Sequence, residues 1–452
     1  LSLRPLRVLS PTAILGYGFP EASFRNGLKK QPDLIGVDAG STDPGPYYLG
    51  AGKSFAARPA VKRDLEFILK GAMALSIPCI IGTAGGAGAR EHVRWTEAII
   101  AEIAREQRLR FRMGVIGADV SKDLVLRAMQ EGRVRPLSPA PELTADEVAA
   151  SVRIVAQMGP EPVIAALENG CQVVLCGRCY DPVAFAAPAI QRGYDVGLAL
   201  HLGKILECAA IAATPGSGSD CVLGTLFDDC FELESLNPQR RFTRISTAAH
   251  TLYEKTDPYR LPGPGGTLDL SAARFEALEG GRVRVSGTRF EPAVPYTLKL
   301  EGVKRAGFRT ISLAGIADPV LISCLDAVLD EVKERVREGI ASNGRVLFHV
   351  YGRNQVLRPA IAFEGAPAHD LGVVMEAVAD DQETANAICS YVRSTLLHFG
   401  YPGRIATAGN LALLYSPSDI PCGEVFEFNI YHLLEVADPE SLFPIEVREV
   451  GA

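Results

Sequence analysis

Five short apolar runs in the first 180 residues, at 8–15, 34–37, 77–81, 111–116 and 172–175, each lead directly into a glycine-bearing segment. Runs of four to eight apolar residues without polar alternation are characteristic of strands buried on both faces. Between them the apolar spacing becomes helical: residues 64–74 precede the third run and 95–103 follow it. Residues 144–158 are the best-marked helix. Thr144 and Glu147 have capping-box spacing, Val148, Val152 and Val155 share one face, and Gly159-Pro160 would stop it. Strand alternating with helix predicts βαβ units and a mostly parallel sheet with helices on both faces. In such sheets ligands bind beyond the carboxyl ends of the strands, where the glycines fall here.

From about residue 214 the pattern changes. Short, partly exposed strands are expected at 232–235, 241–246, 282–286 and 296–301, separated by Gly/Pro segments such as Leu261-Pro262-Gly263-Pro264-Gly265-Gly266. They form a β-rich insertion over about 215–310. Leu325, Val328, Leu329, Val332 and Val336 then mark an amphipathic helix that Gly339 can end. Ser342-Asn343-Gly344 is a plausible boundary, dividing an α/β domain at 1–342 from a small α+β domain at 343–452. In the latter, strand-like runs at 345–350 and 372–378 precede a helix at 380–398 with Ala385, Ile388, Cys389, Val392 and Leu396 on one face. Strands at 410–415 and 424–433 follow. A small sheet under one or two helices is the natural packing.

Size and charge narrow the function classes. At roughly 100–200 residues per domain, 452 residues allow two or three domains, each able to bury a core. Fifty-three acids against 46 bases give a net charge of −7 with no basic stripe, which argues against nucleic acid. No apolar stretch approaches the ~18 residues of a membrane span. The first residues, with Arg4 and Arg7, lack the apolar core of a signal peptide. Ten cysteines without a regular framework suit reduced thiols, so a cytoplasmic location is expected.

The stretches PTAILGYGFPEASFRNGL, IGVDAGSTDPGPYYLGAGKSF and IIGTAGGAGA resemble the acyclic terpene utilisation (AtuA-like) family, as do VLCGRCYDP, YTLKLEGVKRAGFRTISLAGIADP and GEVFEFNIYHLLEV. The resemblance covers nearly the whole chain. It implies a large N-terminal α/β domain followed by a ferredoxin-like C-terminal one. It also implies a role in the catabolism of branched acids and terpenoids through CoA thioesters, without a settled reaction or catalytic set.

Three segments carry candidate chemistry. In the loop 38–45, Asp38 and Asp43 could hold Mg²⁺ or Mn²⁺ through oxygen ligands, or one could act as a general base. Alternatively they cap a helix and form a turn. Tyr47, just beyond, could line a pocket. Gly82, Gly85, Gly86 and Gly88 could cradle an anion at a helix N-terminus. No Walker lysine follows, and Glu91 occupies the third glycine position of a dinucleotide fingerprint. Tight strand-to-helix packing is the simpler reading. His92 is either an acid/base group or a surface residue.

In Cys176-Gly177-Arg178-Cys179-Tyr180-Asp181, Arg178 could bind a carboxylate or phosphate and Asp181 could transfer protons, unless the two merely pair with each other. Cys171, Cys176 and Cys179 match an iron–sulfur spacing, but a strand would separate the first two by ~16 Å. A Cys-x-x-Cys redox pair is a further option. His250, Tyr253, Lys255 and Tyr259 could form a lid.

The reading that unites these features is a lyase (hydratase or dehydratase) or isomerase acting on a small carboxylic acid or its CoA thioester. Carboxylates move the protons, and no cofactor is required beyond an optional Mg²⁺ or Mn²⁺. The partners expected are the small anionic substrate or acyl-CoA, further copies of the chain and, optionally, a small partner subunit. The alternative is a non-catalytic ligand-binding or accessory subunit of a CoA-dependent carboxylase-type pathway. An oxidoreductase is a third.

Overall fold

The computed structural model of the protein describes residues 3–253, 256–339, 344–353, 355–356 and 368–451. The first elements alternate as the apolar pattern requires: β1 (Leu6–Ser10), α1 (Glu21–Lys29), β2 (Leu34–Asp38), α2 (Pro46–Ala51), α3 (Arg58–Leu75) and β3 (Cys79–Gly82). Then come α4 (Arg90–Gln107), β4 (Phe111–Ile116), α5 (Lys122–Gln130), β5 (Val134–Pro136), α6 (Ala145–Ala150) and β6 (Ser151–Ala156). The series ends with α7 (Glu161–Glu168), β7 (Val173–Cys176), α8 (Val183–Gln191), α9 (Val196–Leu206), β8 (Val222–Leu226) and β9 (Cys230–Ser235).

Five of these strands lie parallel in the order β1-β2-β3-β7-β4. Alternate residues enter separate cores. Val8, Leu34, Ile80 and Val174 face Val163, Phe185 and Leu202 of α7, α8 and α9. Leu9, Ile35, Ile81 and Leu175 face Phe24, Leu65, Ile68 and Ile99 of α1, α3 and α4. Each such side chain, removed from water, contributes about 1.5–3 kcal/mol.

The ten-stranded sheet as a whole is mixed, which corrects the expectation of a mostly parallel one. β8, β9 and the strands Arg282–Ser286 and Arg274–Leu278 extend it antiparallel from β1, and Ile445–Val450 does so from β4. The β-rich segment joins as hairpins, and short turns can only connect antiparallel neighbours.

Two local expectations are also corrected. The helix expected over 144–158 stops at Ala150. Only half of the capping box forms: Glu147 N–H donates to Thr144 Oγ1 at 3.2 Å, while Lys304 Nζ takes the Glu147 carboxylate at 2.8 Å. Ser151 Oγ donates back to Glu147 O, and the β-branched Val152, Ile154 and Val155 continue as β6 against the strand Tyr296–Ile316. The strand expected at 241–246 is instead the start of a helix, Arg244–Thr251, capped by a reciprocal Thr243–Ser246 pair.

The chain forms two compact units. One comprises residues up to Lys304 and from Phe428 onward; the other is Arg305–Glu427. The expected boundary after residue 342 therefore falls within the second unit, and Ser342-Asn343 lies outside the described residues. The second unit runs strand, helix Pro319–Gly339, strands Arg345–Tyr351 and Leu371–Ala379, helix Gln382–Leu397, strand. Apart from the two-residue strand Ala412–Leu413, which pairs with the first strand, this is a βαββαβ succession, with the second, third, first and fourth strands side by side. Leu325, Val328, Val332, Ile388, Val392 and Leu396 cover Val373, Met375 and Ala377 as their spacing predicts. Among the described residues, no helix is long and apolar enough to cross a membrane.

The first unit also buries neutral histidines. His201 of α9 lies between Thr288 Oγ1 at 2.7 Å and Thr251 Oγ1 at 3.0 Å, and burial pushes its pKa down to about 3. Burial likewise takes His250 down to about 4. The unfolded chain protonates these rings below about pH 6.5 while the folded chain does not, so stability is lost as pH falls from there. For His201→Gln, the slope of unfolding free energy against pH between 6.5 and 4 should become shallower by about 1.4 kcal/mol per pH unit. Urea titrations across that range check this, and an unchanged slope would refute it.

Candidate functional site

The crevice of the parallel block lies between β3 and β7. The chain leaves β3 into α4 and β7 into α8, on opposite faces of the sheet, so their carboxyl ends open a topological switch point. Asp38 ends β2 opposite Gly82 at the end of β3. After Gly82 the backbone turns sharply through Thr83 at φ 41°, and Gly88 at φ 68° precedes α4. The loops after β3 and β7 meet backbone to backbone, Arg178 N–H donating to Gly88 O at 3.1 Å, and Gly177 N–H donates to Ile116 O at the end of β4 at 2.8 Å.

Glycine is required here for close approach. A Cβ on Gly82 would lie 3.2 Å from Cys179 Sγ and 3.3 Å from Asp38 Oδ1. One on Gly85 would press on His92, and one on Gly86 on Phe55. All three glycines are buried, so they pack the loop rather than line an open anion cradle.

Arg178 is the centre of the site. Its side chain is 2% exposed, with Nε donating to Glu301 Oε2 at 2.7 Å and Nη2 to Oε1 at 3.3 Å. Nη1 donates to Asp181 Oδ1 at 3.0 Å and to Cys179 O at 2.9 Å. Glu301 arrives from the strand Tyr296–Ile316. It also accepts from Lys299 Nζ at 2.7 Å and from Thr42 Oγ1 at 3.0 Å. The Lys299 ammonium lies 5.2 Å from the Tyr431 ring centre. Asp181 and Lys299, 22% and 21% exposed, are the solvent-facing members of this chain of charges.

The protonation states diverge accordingly. Burial would raise Glu301, but Arg178 and Lys299 outweigh it and hold the carboxyl at about 2. Asp38 has no such partner. Burial, then the charges of Asp181, Cys179 and Glu207, push it well above the ordinary carboxylate value, and its Oδ1 has no hydrogen-bond partner among the described residues. Burial also raises Asp181, against the pull of Arg178 and Lys299. Two carboxyls with elevated proton affinity thus stand beside a buried guanidinium, an arrangement suited to proton transfer.

Asp43 stands near this network, and its charge adds to the rise of Asp181. Asp43 is exposed, whereas Asp38 is buried, and among the described residues no group of three or more His, Cys, Asp or Glu is placed to hold a metal. The Mg²⁺ or Mn²⁺ site expected from Asp38 and Asp43 therefore has no ligand set here. Tyr47 stands edge-on to Tyr48, with ring centres 5.5 Å apart, at the surface. His92 is buried, not superficial. Its Nε2–H points to the carbonyls of Tyr48 at 3.1 Å and Lys53 at 3.0 Å, and burial lowers its pKa, so it ties down the loop around α2 as a neutral ring. Of the proposed lid, His250 is buried against Tyr253, Tyr259 is exposed, and Lys255 lies outside the described residues.

Glu301 and Lys299 were visible in the sequence but carried no assignable role. The available signal was their spacing: two residues apart on a strand, they project from the same face. Arg178 itself is engaged by Glu301 and Asp181, so its position is that of an internal organiser.

No curated protein and no solved structure matches the chain. The family model described as acyclic terpene utilisation family protein AtuA matches residues 58–220 and 239–413, well over half of the sequence. The matched segments include Gly82, Arg178, Asp181, Lys299 and Glu301, while Asp38 precedes them. With this extent of match, the chain belongs to the acyclic terpene utilisation family.

Proposed function

We propose that the protein is a lyase or isomerase of terpene or branched-acid catabolism, acting on a small carboxylic acid or its CoA thioester. Family membership suggests the metabolic setting. The observation that carries the chemical reading is Asp38: a buried carboxyl with an unpartnered oxygen and raised proton affinity, beside the Arg178–Asp181 pair. Addition or elimination of water next to a carbonyl, or migration of a double bond there, needs one group to take a proton and another to return it. Asp181, held by Arg178 at the solvent-facing side, is the base. Asp38 is the acid. Lys299 presents positive charge to the substrate anion and to the enolate that develops from it. Arg178 is a positioning residue, its donors spent on Glu301 and Asp181. The second unit, in this reading, is a ferredoxin-like domain.

The test is a mass-spectrometric screen of carboxylic acids and CoA esters with wild type, Asp38→Asn and Asp181→Asn. Turnover by the wild type, with kcat lowered about 10²–10⁴-fold in each variant, is expected. Equal turnover by Asp38→Asn would remove Asp38 from the mechanism. No turnover of any candidate, with or without Mg²⁺ or Mn²⁺, would favour the accessory ligand-binding role.

A further inference from the structure

Arg105, Arg108, Arg110 and Arg112 stand close together in a chain of net charge −7, where α4 gives way to β4. Beside β4 runs the strand Ile445–Val450, at the edge of the ten-stranded sheet. Two cavities of about 320 and 620 Å³ open between that strand and α4, both within the size range of small-molecule sites. Glu97 and Arg448, paired with each other, line both. Arg90 and Arg94 line the smaller cavity, and Arg105, Arg108 and Arg110 the larger. Arg94, Glu97, Ala101, Arg105 and Arg108 recur at intervals of three and four, so they follow one face of the helix over about 21 Å. Ala101, Ala104 and Val450 give the larger cavity an apolar lining. Arg448 is taken by Glu97 and Glu446, and Arg112 lies 3.9 Å from Glu449. By contrast Arg90, Arg94, Arg105, Arg108 and Arg110 are exposed and form no ion pair among the described residues. The cavity lined by Asp195, Asp228 and Asp229 has only two arginines and would repel an anion. The negative end of the α4 dipole, about half a charge, opposes an anion at the larger groove cavity, but three guanidiniums outweigh it.

We propose that the groove between α4 and the strand Ile445–Val450 binds the phosphates of a nucleotide-sized ligand, with a diphosphate on Arg105, Arg108 and Arg110. Guanidinium groups offer paired N–H donors that match phosphate oxygens, a geometry that a lysine ammonium lacks. Ala101 and Ala104 leave room for the rest of the ligand on the helix face between these arginines and Arg94. Two sources share this chemistry: a free nucleoside diphosphate, and the phosphorylated adenosine end of a CoA thioester. The backbone relates the groove to the Arg178 network. Asp119, in the smaller cavity, pairs with Val155, which pairs with Glu301. At about 4.8 Å per strand, the Asp119 and Glu301 backbones stand about 10 Å apart. The CoA source rests on the reaction proposed above; the phosphate site does not.

The experiment is isothermal titration of the full-length protein with ADP, CoA and inorganic pyrophosphate. Binding of ADP or CoA is expected at an ionic strength of about 0.01 M and should weaken at about 0.15 M, as the screening length falls from about 30 to about 8 Å. Arg105→Gln/Arg108→Gln should weaken it by about tenfold or more. Arg274→Gln/Arg289→Gln removes equal charge from the aspartate-lined cavity and should leave it unchanged. Ala101→Phe fills the groove without altering charge and should also weaken binding. Melting temperatures equal to the wild type's would show that these variants keep the fold. CoA binding more tightly than ADP, and losing more to Ala101→Phe, assigns the groove to the thioester; equal behaviour assigns it to a nucleoside diphosphate. No binding of any of the three, or equal affinity in wild type and Arg105→Gln/Arg108→Gln, would overturn the proposal. So would a short oligonucleotide that binds more tightly than all of them. The readout is binding, so an absence of turnover in the screen above leaves it untouched.

Discussion

Replacing Arg178 by leucine should lower the unfolding free energy by about 3–5 kcal/mol, the usual cost of breaking a buried ion pair from one side. The carboxylate of Glu301 would keep only Lys299 and Thr42, and Asp181 would lose its guanidinium. Arg178→Lys should recover little, because an ammonium cannot face Glu301 and Asp181 at once with the planar fork that now joins them. The double variant Arg178→Leu/Glu301→Leu should be more stable than the sum of its single changes, since it removes the stranded charge together with its partner. Urea unfolding of the four proteins closes this cycle. Additive effects, or a loss below about 1 kcal/mol for Arg178→Leu, would show that the pair does not organise the site.

A single methyl group at position 88 should be comparably damaging. The Cβ of Gly88→Ala would fall 2.1 Å from Arg178 N and 2.5 Å from its Cα, on a backbone at φ 68°. Both contacts are main chain, so neither can rotate away, and the loops after β3 and β7 must part. That separation breaks the Arg178 N–H···O Gly88 bond and shifts the guanidinium that holds Asp181 and Glu301. A loss above about 4 kcal/mol, or failure to fold, is expected. Gly132 is a control with the same backbone handedness, φ 71°, and nothing within 4 Å. There alanine should cost only about 1–2 kcal/mol of conformational strain. Melting temperatures of the two variants would separate crowding from strain. Equal shifts would refute the close approach at Gly88.

The sequence made the parallel block legible because strands buried on both faces cannot disguise their apolar runs, and because the turns that follow them need glycine. Asp38, Arg178 and Asp181 could be placed at one sheet edge on that basis. Residues 144–158 were opaque for a specific reason. Val148, Val152 and Val155 satisfy a helical spacing, while Ile154 and Ala156 pack inward from a strand and Val152 faces solvent. The choice of strand was made by a distant ladder, not by local propensity. Glu301 was opaque for the same kind of reason: it stands 123 residues from Arg178, and only the pairing of the strand Tyr296–Ile316 with β6 brings it there. Asp38 and Asp43 differ in exposure, one buried and one open to solvent, a difference that their closeness in sequence does not show. Gly40, at φ 131° between the two aspartates, allows the loop to diverge.

The strands that lead into and out of the second unit have a practical implication. A Cβ on Gly302 would lie 2.8 Å from the Cβ of Ile430, two residues inside the points where the first unit gives way to Arg305 and resumes at Phe428. In sequence, Arg305–Glu427 is therefore an insertion between two neighbouring strand segments of the first unit. Such a segment can be exchanged for a turn of a few residues without re-routing the chain. Asp38, Cys179, Arg178, Asp181, Lys299 and Glu301 would all remain in the shortened protein. The candidate site thus belongs wholly to the first unit, with residues on both sides of one long crossover but none within the inserted segment.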